Sequence, residues 1–578
     1  MTKQPFSWRL ACVLVLILAA FGGLSAKLFW LHLNPNDALR LKIQKTLKFE
    51  HKISVGRGSI MDRNGAVMAA DIAVRDVKVD PGKLNAGGHV QYVAEQLARM
   101  LDLDLALLLN RLQGRTGNYA PIKRFVPADK ADEIRALNLP CVHFDEGSLR
   151  NYPGGAMMAH VVGFSNLNGE GSGGVEQRYN SWLRGVEGYR ISEKDAHKRE
   201  IFSRRSLDIP PQEGSDLYLT LDSRVQYYVE KALHEAMEEH HAAGAWAIVQ
   251  RVRTGEILAM ASLPDFDLNH FGKVDPEVHR NRAISFNYEP GSTFKVAVIA
   301  AALNEGIITQ DEVFDCENGT WHYGGRPLRD YHPYGLLSVQ DIIKKSSNIG
   351  AAKIALKLGE GKLEKYLRDF GVGRFTGIDL PGEEGGLLYS RARWSKISVT
   401  RIAMGHEVAV TAMQMLSLIS AIANDGFLMR PYVVGTARDC NGRIIYRAEP
   451  EVVARPISQE TAAQMRRLMA RVTEQGGTGS RAALAEYTVA GKTGSAQKPV
   501  PGGYSDSAHM ASFVGFIPAE NPEISIIVVV DEPQPLHTGG VVAAPVFKKI
   551  AEPVMRYLAS RPAEWHVVGG ASVMEASP

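Results

Sequence analysis

Apolar residues along this chain gather into runs of three kinds. The first is a block near the N-terminus. Residues 10–26 carry no charge, and residues 28–33 continue the block past Lys27. At about 1.5 Å per residue such a helix crosses a hydrocarbon core of roughly 30 Å, while the lysine stem reaches for the interface. A cleaved signal peptide competes with this reading, but the block exceeds a usual h-region and Leu24 stands where cleavage wants a small residue. The pattern predicts an uncleaved anchor over residues 10–33 behind a short tail, residues 1–9. Basic residues flank it on both sides, Lys3 and Arg9 before and Lys27, Arg40, Lys42 and Lys45 after. Charge alone therefore leaves the orientation open, although large domains translocate largely regardless of it.

The second kind of run is helical. Apolar positions repeat with helical spacing over residues 89–101, 105–112 and 128–137. They do so again in the helix started by Asp222, where Val225, Val229, Ala232, Leu233, Ala236 and Met237 share a face. Further helices are predicted from the capping-box-like Ser338-Val339-Gln340-Asp341, over residues 414–423 and 459–472, and over 546–558 as a closing helix. The third kind is strand-like: residues 218–221, then 245–252 and 256–262 joined at Arg253-Thr254-Gly255, and late in the chain 487–490, 511–517 and 524–530. Strands at both ends with helices between them predict an antiparallel sheet in an α+β layered domain. Ile209-Pro210-Pro211-Gln212-Glu213-Gly214 is the best linker. It separates residues 49–208, which mix short strands, helices and turns, from a domain over residues 218–560, with a tail over 561–578. Three clusters stand out in the earlier region: Arg57 to Gly65, Arg150-Asn151-Tyr152-Pro153-Gly154, and Gly173-Gly174-Val175-Glu176. They read as turn chemistry with solvated charges, in a platform without a nucleophile and base.

One stretch breaks the ordinary pattern. Tyr288-Glu289-Pro290-Gly291-Ser292-Thr293-Phe294-Lys295 runs from a turn signal directly into the apolar residues 296–303. Ser292 at a helix start reads first as an N-cap. Lys295, three residues on in an almost wholly apolar helix, changes that reading. Burial there favours the neutral amine, which can take a proton from a neighbouring hydroxyl. Ser292 and Lys295 are thus a candidate nucleophile and base.

Composition adds mainly exclusions. A chain of 578 residues exceeds one core, and a formal net charge of +3 without a basic aromatic stripe argues against nucleic-acid binding. Cys12, Cys141, Cys316 and Cys440 show no C-x-x-C spacing, so neither a zinc site nor a disulfide framework is expected. Gly491-Lys492-Thr493 looks like the end of a P-loop, but Glu486 stands where that motif needs glycine. His234-Glu235 and His406-Glu407 lack the second histidine of a zincin, and Ser292 lacks the glycine of a hydrolase elbow.

What remains is Ser292-x-x-Lys295, Ser346-x-Asn348 and Lys492-Thr493-Gly494, in that order. This set is the signature of serine β-lactamases and penicillin-binding proteins. The surrounding residues, Glu289 to Lys295, Lys345 to Gly350 and Ala490 to Ala496, resemble the division-type class B penicillin-binding proteins, as do Thr254 to Ala261 and Asn281-Arg282-Ala283. The three earlier clusters match that family's non-catalytic pedestal, so the resemblance spans the anchor to about residue 558. Glu289 before Pro290-Gly291, with Asn348 in the middle triplet, favours division over elongation. Two positions depart from the family: Ser495 stands where Thr is usual, and Met404-Gly405-His406-Glu407 replaces a Phe-Gly-x-Gly.

The resemblance implies a penicilloyl-serine transferase (serine β-lactamase-like) domain with an antiparallel five-stranded sheet and flanking helices, behind a transmembrane helix and an α/β pedestal. It implies D,D-transpeptidation of peptidoglycan stem peptides through a serine acyl-enzyme, inhibited by β-lactams, with no metal or organic cofactor. Ser292, Lys295, Ser346, Asn348 and Lys492 are the implied catalytic residues, with Lys492 supplying positive potential. Thr493, Gly494 and Ser495 bind substrate. A single pass through the cell membrane, an extracytoplasmic catalytic domain, and a septal glycosyltransferase and other division proteins as partners complete the expectation. The rivals are a D,D-carboxypeptidase, an elongation-type enzyme and a membrane β-lactam sensor or scaffold.

Overall fold

The computed structural model describes residues 8–33, 48–53, 55–117, 119–195 and 200–561. Lys3, Arg40, Lys42, Lys45 and all but the first residue of the expected tail at 561–578 lie outside them. The chain divides into two compact units. One comprises the N-terminal segment to Val55 with residues 186–212, and the other residues 56–185 with the chain from Glu213 onward. Contacts therefore divide the chain differently from the boundary expected near residues 208–218.

In the first unit, helix Trp8–Leu33 has 26 residues, about 39 Å of rise, and buries none of its side chains. It is long and apolar enough to cross a membrane once. A small antiparallel sheet accompanies it, in which Gly188–Lys194 pairs with Lys48–Ile53, Glu200–Ile201 and Leu207–Ile209.

The second unit is built around five antiparallel strands: β1 (Gly244–Arg251), β2 (Ile257–Leu263), β3 (Ala490–Val500), β4 (Gly503–Ile517) and β5 (Ile524–Asp531), in the order β2-β1-β5-β4-β3. Period-two alternation is hidden because both faces are covered, so the strands read as continuous apolar runs. Ala245, Ala247 and Val249 pack with Val225, Val229 and Leu233 of helix α1 (Ser223–His240) and with Phe547 and Ile550 near the C-terminus. Trp246 and Ile248 point the other way, into the apolar cluster that also holds helix α2 (Lys295–Asn304) and residues 412–423. The Lys492 triplet is expected just after a strand but lies inside β3. Glycine disfavours strands, yet close approach demands it here, since a Cβ on Gly491 would lie 2.5 Å from the Phe513 ring and one on Gly494 2.2 Å from Ser512 Oγ.

Residues 56–185 supply a long strand, Val67–Val79, between Ala120–Pro127 and Val142–Asn151, with helices Val90–Leu101, Leu105–Leu112 and Ala128–Ala136 close to their expected spans. Ile60–Met61 pairs in parallel with Asp216–Leu219, so one sheet runs through both parts of the unit. The three clusters expected as solvated turns instead converge in the interior. Arg57 Nε donates to Glu176 Oε2 at 2.6 Å, Arg150 Nε to Glu176 Oε1 at 2.7 Å, and Arg150 also pairs with Asp71 at 3.1 Å. Glu176 is fully buried between the two guanidinium groups. Removing the carboxylate leaves buried Arg57 without its ion-pair partner and Arg150 with Asp71 alone, so Glu176→Ala is expected to lower unfolding free energy by about 3–5 kcal/mol in denaturant titration. A loss below about 1 kcal/mol would mean that water replaces the carboxylate.

Candidate active site

The nucleophile segment is held from both sides. Tyr288 bridges Val410, and Gly291 N–H donates to Gly405 O at 3.2 Å. Gly291 adopts φ +57°, and a Cβ on Gly405 would sit 2.2 Å from Gly291 O, so both positions require glycine. A short 3₁₀ turn, Gly291–Phe294, then feeds α2. Residues i and i+3 of a 3₁₀ turn eclipse, which stacks Ser292 and Lys295 on one line. Ser292 forms no capping bond, contrary to the ordinary reading of a serine at that position.

Lys295 is completely buried. Its Nζ donates to Ser346 O at 2.6 Å and to Asn348 Oδ1 at 2.6 Å, with Ser346 Oγ at 3.2 Å. Burial pulls its pKa from the usual 10.5 to about 7, against the attraction of Asp330. A neutral amine has two N–H donors and one lone pair. The two short bonds occupy both donors and leave the lone pair for a hydroxyl. Among the described residues no hydrogen bond joins Ser292 Oγ to Lys295 Nζ, so the expected direct contact is not made in this geometry. Such bonds often tighten only when substrate is bound.

The middle triplet is expected inside one helix, but the helix breaks there. Helix α3 (Val339–Lys345) ends at Ser346, which adopts a left-handed conformation with φ 61°. Ser347 then caps helix α4 (Asn348–Leu358), its Oγ accepting from Gly350 N–H at 3.0 Å. Asp330 explains the break. It accepts from Asn348 N–H, from Ile349 N–H at 3.1 Å and from Ser347 Oγ at 2.6 Å. A carboxylate at a helix N-terminus is favoured by the dipole, and here it fixes Asn348 beside Lys295. Asn348 Nδ2 gives one hydrogen to Arg329 O at 2.7 Å, with a second still available.

Lys492 approaches Ser346 from the opposite side, its Nζ donating to Ser346 Oγ at 2.9 Å and to Thr493 O at 3.1 Å. It too is completely buried, and burial, then the neighbouring Lys295, push its pKa well below the usual value. That lowering weakens the expectation of a fixed positive charge on Lys492. Thr493 Oγ1 donates to Thr478 Oγ1 at 3.0 Å, and Ser495 Oγ accepts from Gly539 N–H at 2.9 Å. β3 is an edge strand, so alternate N–H groups face away from the sheet. It lies tight against the nucleophile turn: a Cβ on Gly494 would be 3.1 Å from Pro290 O, and one on Gly291 3.3 Å from Ser495 O. Asp330, Thr478 and Gly539 carry no sequence signal that ties them to the triplets.

Residues 245–552, more than half of the chain, match the family model described as the penicillin-binding protein transpeptidase domain. This chain belongs to the penicillin-binding protein transpeptidase family. Residues 52–219 match the penicillin-binding protein dimerisation domain, which makes it a class B member. The probable peptidoglycan D,D-transpeptidase PenA of Neisseria meningitidis is 33% identical over 95% of this chain and 93% of its own length. The peptidoglycan D,D-transpeptidase FtsI of Escherichia coli is 32% identical over 96% and 93%. Among solved structures, penicillin-binding protein 3 of Mycobacterium tuberculosis in complex with aztreonam superposes with a TM-score of 0.70 at 27% identity, covering 88% of this chain and 98% of that one. Met404-Gly405-His406-Glu407, expected to depart from a Phe-Gly-x-Gly, has two residues with positive φ, Gly405 and Glu407. Glu407 takes φ 58° in place of glycine, and Glu289 Oε1 accepts from its N–H at 3.0 Å.

Proposed function

We propose that this chain is a peptidoglycan D,D-transpeptidase of the division type, with Ser292 as its nucleophile. The observation that carries the reading is the buried Lys295 amine, poised near neutrality, with both its donors occupied and its lone pair left for a hydroxyl proton. Ser292 attacks the penultimate carbonyl of a stem peptide ending in D-Ala-D-Ala, and its proton passes to Lys295. Backbone N–H groups of Ser292 and Ser495 hold the oxyanion, each worth on the order of 3 kcal/mol. Ser346, flanked by both lysines, returns a proton to the departing D-Ala amine. Asn348 orients the donor peptide with its second amide hydrogen, and Lys492, Thr493, Gly494 and Ser495 bind the terminal carboxylate. A neighbouring stem's amine then takes the acyl group. β-Lactams acylate Ser292 as mimics of the donor.

The reading places residues 49–208 as pedestal and 218–560 as catalytic domain, beyond a single pass over residues 10–33 with the catalytic domain outside the cytoplasm. A septal glycosyltransferase and other division proteins are the partners it calls for. Lipid-linked donor supplied with an amine separates the rivals. Crosslinked product is expected. Free D-Ala without crosslinks would instead mean a carboxypeptidase, and a stable penicillin adduct without peptide turnover a sensor.

A further inference from the structure

A cavity of about 410 Å³ opens where residues 178–182 meet residues 430–451, lined by Tyr179, Trp182, Tyr446, Arg178, Ser181 and Glu449 among others. None of the residues proposed for catalysis or donor binding lines it. Tyr432, a buried residue of its wall, bridges Glu256, which immediately precedes β2. β2 is the edge strand opposite β3, four strand spacings away, so about 19 Å of sheet separates this end from the Lys492 triplet.

The floor of the cavity is fixed, while its walls keep unused polar groups. Tyr179 OH donates to Asp379 Oδ2 at 2.8 Å, and Asp379 also accepts from Val433 N–H at 2.7 Å and Val434 N–H at 3.0 Å. One carboxylate thus ties two walls of the cavity together, and the space is pre-formed. Three rings follow one another across it, Tyr179 to Trp182 at 5.1 Å between centroids and Trp182 to Tyr446 at 5.3 Å. Among the described residues, Trp182 Nε1, Tyr446 OH and Ser181 Oγ form no hydrogen bond, and Arg178 and Glu449 form no ion pair. Arg430 is already paired with Glu451 at 2.9 Å. A single unpaired cation balanced by a single unpaired anion disfavours a phosphate or other polyanion, which calls for clustered cations. Aromatic faces beside neutral donors suit an uncharged ligand with an apolar face and a polar rim. A sugar ring has that character, with C–H bonds on its face and hydroxyls at its edge.

We infer that this cavity binds the glycan of a peptidoglycan strand, with an N-acetylated amino sugar lying against the Trp182 ring. This rests on the reading of peptidoglycan as the substrate, which supplies a polymer of such sugars carrying the stem peptides. Arg178 donates to the acetamido carbonyl oxygen. Trp182 Nε1 and Tyr446 OH pair with ring oxygens, and Glu449 accepts from a hydroxyl. A strand held at this edge of the sheet raises the effective concentration of its stem peptides around Ser292.

The test uses the full chain in detergent micelles with chitotetraose and cellotetraose, which differ only in bearing acetamido or hydroxyl groups. Isothermal titration calorimetry is expected to give wild type a Kd for chitotetraose about tenfold below that for cellotetraose. Arg178→Ala, at an exposed position, is expected to erase that preference. Trp182→Phe is expected to weaken both ligands about fivefold. Since Trp182 also packs against the core, Tyr446→Phe supplies a second reading: it removes one oxygen, keeps the ring, and should weaken both ligands about threefold. Wild type that binds neither tetramer, or binds the two equally, overturns the assignment, as do three variants all within about 1.5-fold of wild type. A wild-type chain that binds chitotetraose as expected but takes up no penicillin and turns over no peptide ending in D-Ala-D-Ala overturns the transpeptidase reading and leaves the glycan site standing.

Discussion

Ser292→Ala is expected to fold normally and to take up no penicillin. The wild-type chain should gain the mass of one β-lactam, and the variant none, because the acylation rate falls by at least about 10⁴-fold. Stability should move by no more than about 0.5 kcal/mol, since the hydroxyl caps nothing in the 3₁₀ turn that holds it. Intact-protein mass spectrometry after incubation with penicillin reads both the adduct and its stoichiometry. The rival nucleophile is Ser346, whose Oγ lies 3.2 Å from one lysine and 2.9 Å from the other. If Ser346 reacts instead, the Ser292→Ala chain still labels and the assignment of roles fails.

The second large effect is on pH. A base with a pKa of about 7 must be neutral to work, so acylation is expected to level off above pH 7 and to fall about tenfold per unit below it. By pH 5 the loss is roughly a hundredfold. Lys295→Arg keeps the site charged at every pH and should remove both the activity and the acid limb. The same shift has a thermodynamic signature. In the unfolded chain this lysine has its usual pKa of 10.5, so between about pH 7 and 10.5 the unfolded state binds the extra proton and stability rises with pH. Relative to Lys295→Met, wild type should gain ~4 kcal/mol between pH 7 and pH 10. A flat difference across that range would show that Lys295 stays charged when folded, and would remove it as the base.

Much of this was legible in the chain because it is local. The Ser292 to Lys295 spacing is one turn, and an apolar helix behind it announces burial. The strands of the central sheet and the capped helices were readable for the same reason, each signal lying within its own segment. What stayed hidden depends on residues far apart in sequence. Asp330 sets the conformation of Ser346 to Asn348 from a loop that carries only turn chemistry. The Ser346 triplet looked like a helix interior because its neighbours favour helix, and only a carboxylate from elsewhere makes the break favourable. Arg57, Arg150 and Glu176 looked solvated since turn residues surround each in the sequence, and nothing local says that the three segments meet. Glu407 in a left-handed conformation is a tertiary override of the same kind, held by the Glu289 carboxylate.

The strand that occupies the middle of the sheet, β5, is made almost last, and it separates β1 from β4. Until residues 524–531 are made, β1 and β2 have no sheet partner linking them to β4 and β3, and the sheet that carries the lysine on β3 stays in two pieces. A nascent chain is therefore chemically silent for most of its synthesis. The sheet is completed from its C-terminal end, so covalent capture of an antibiotic is expected to report a finished molecule.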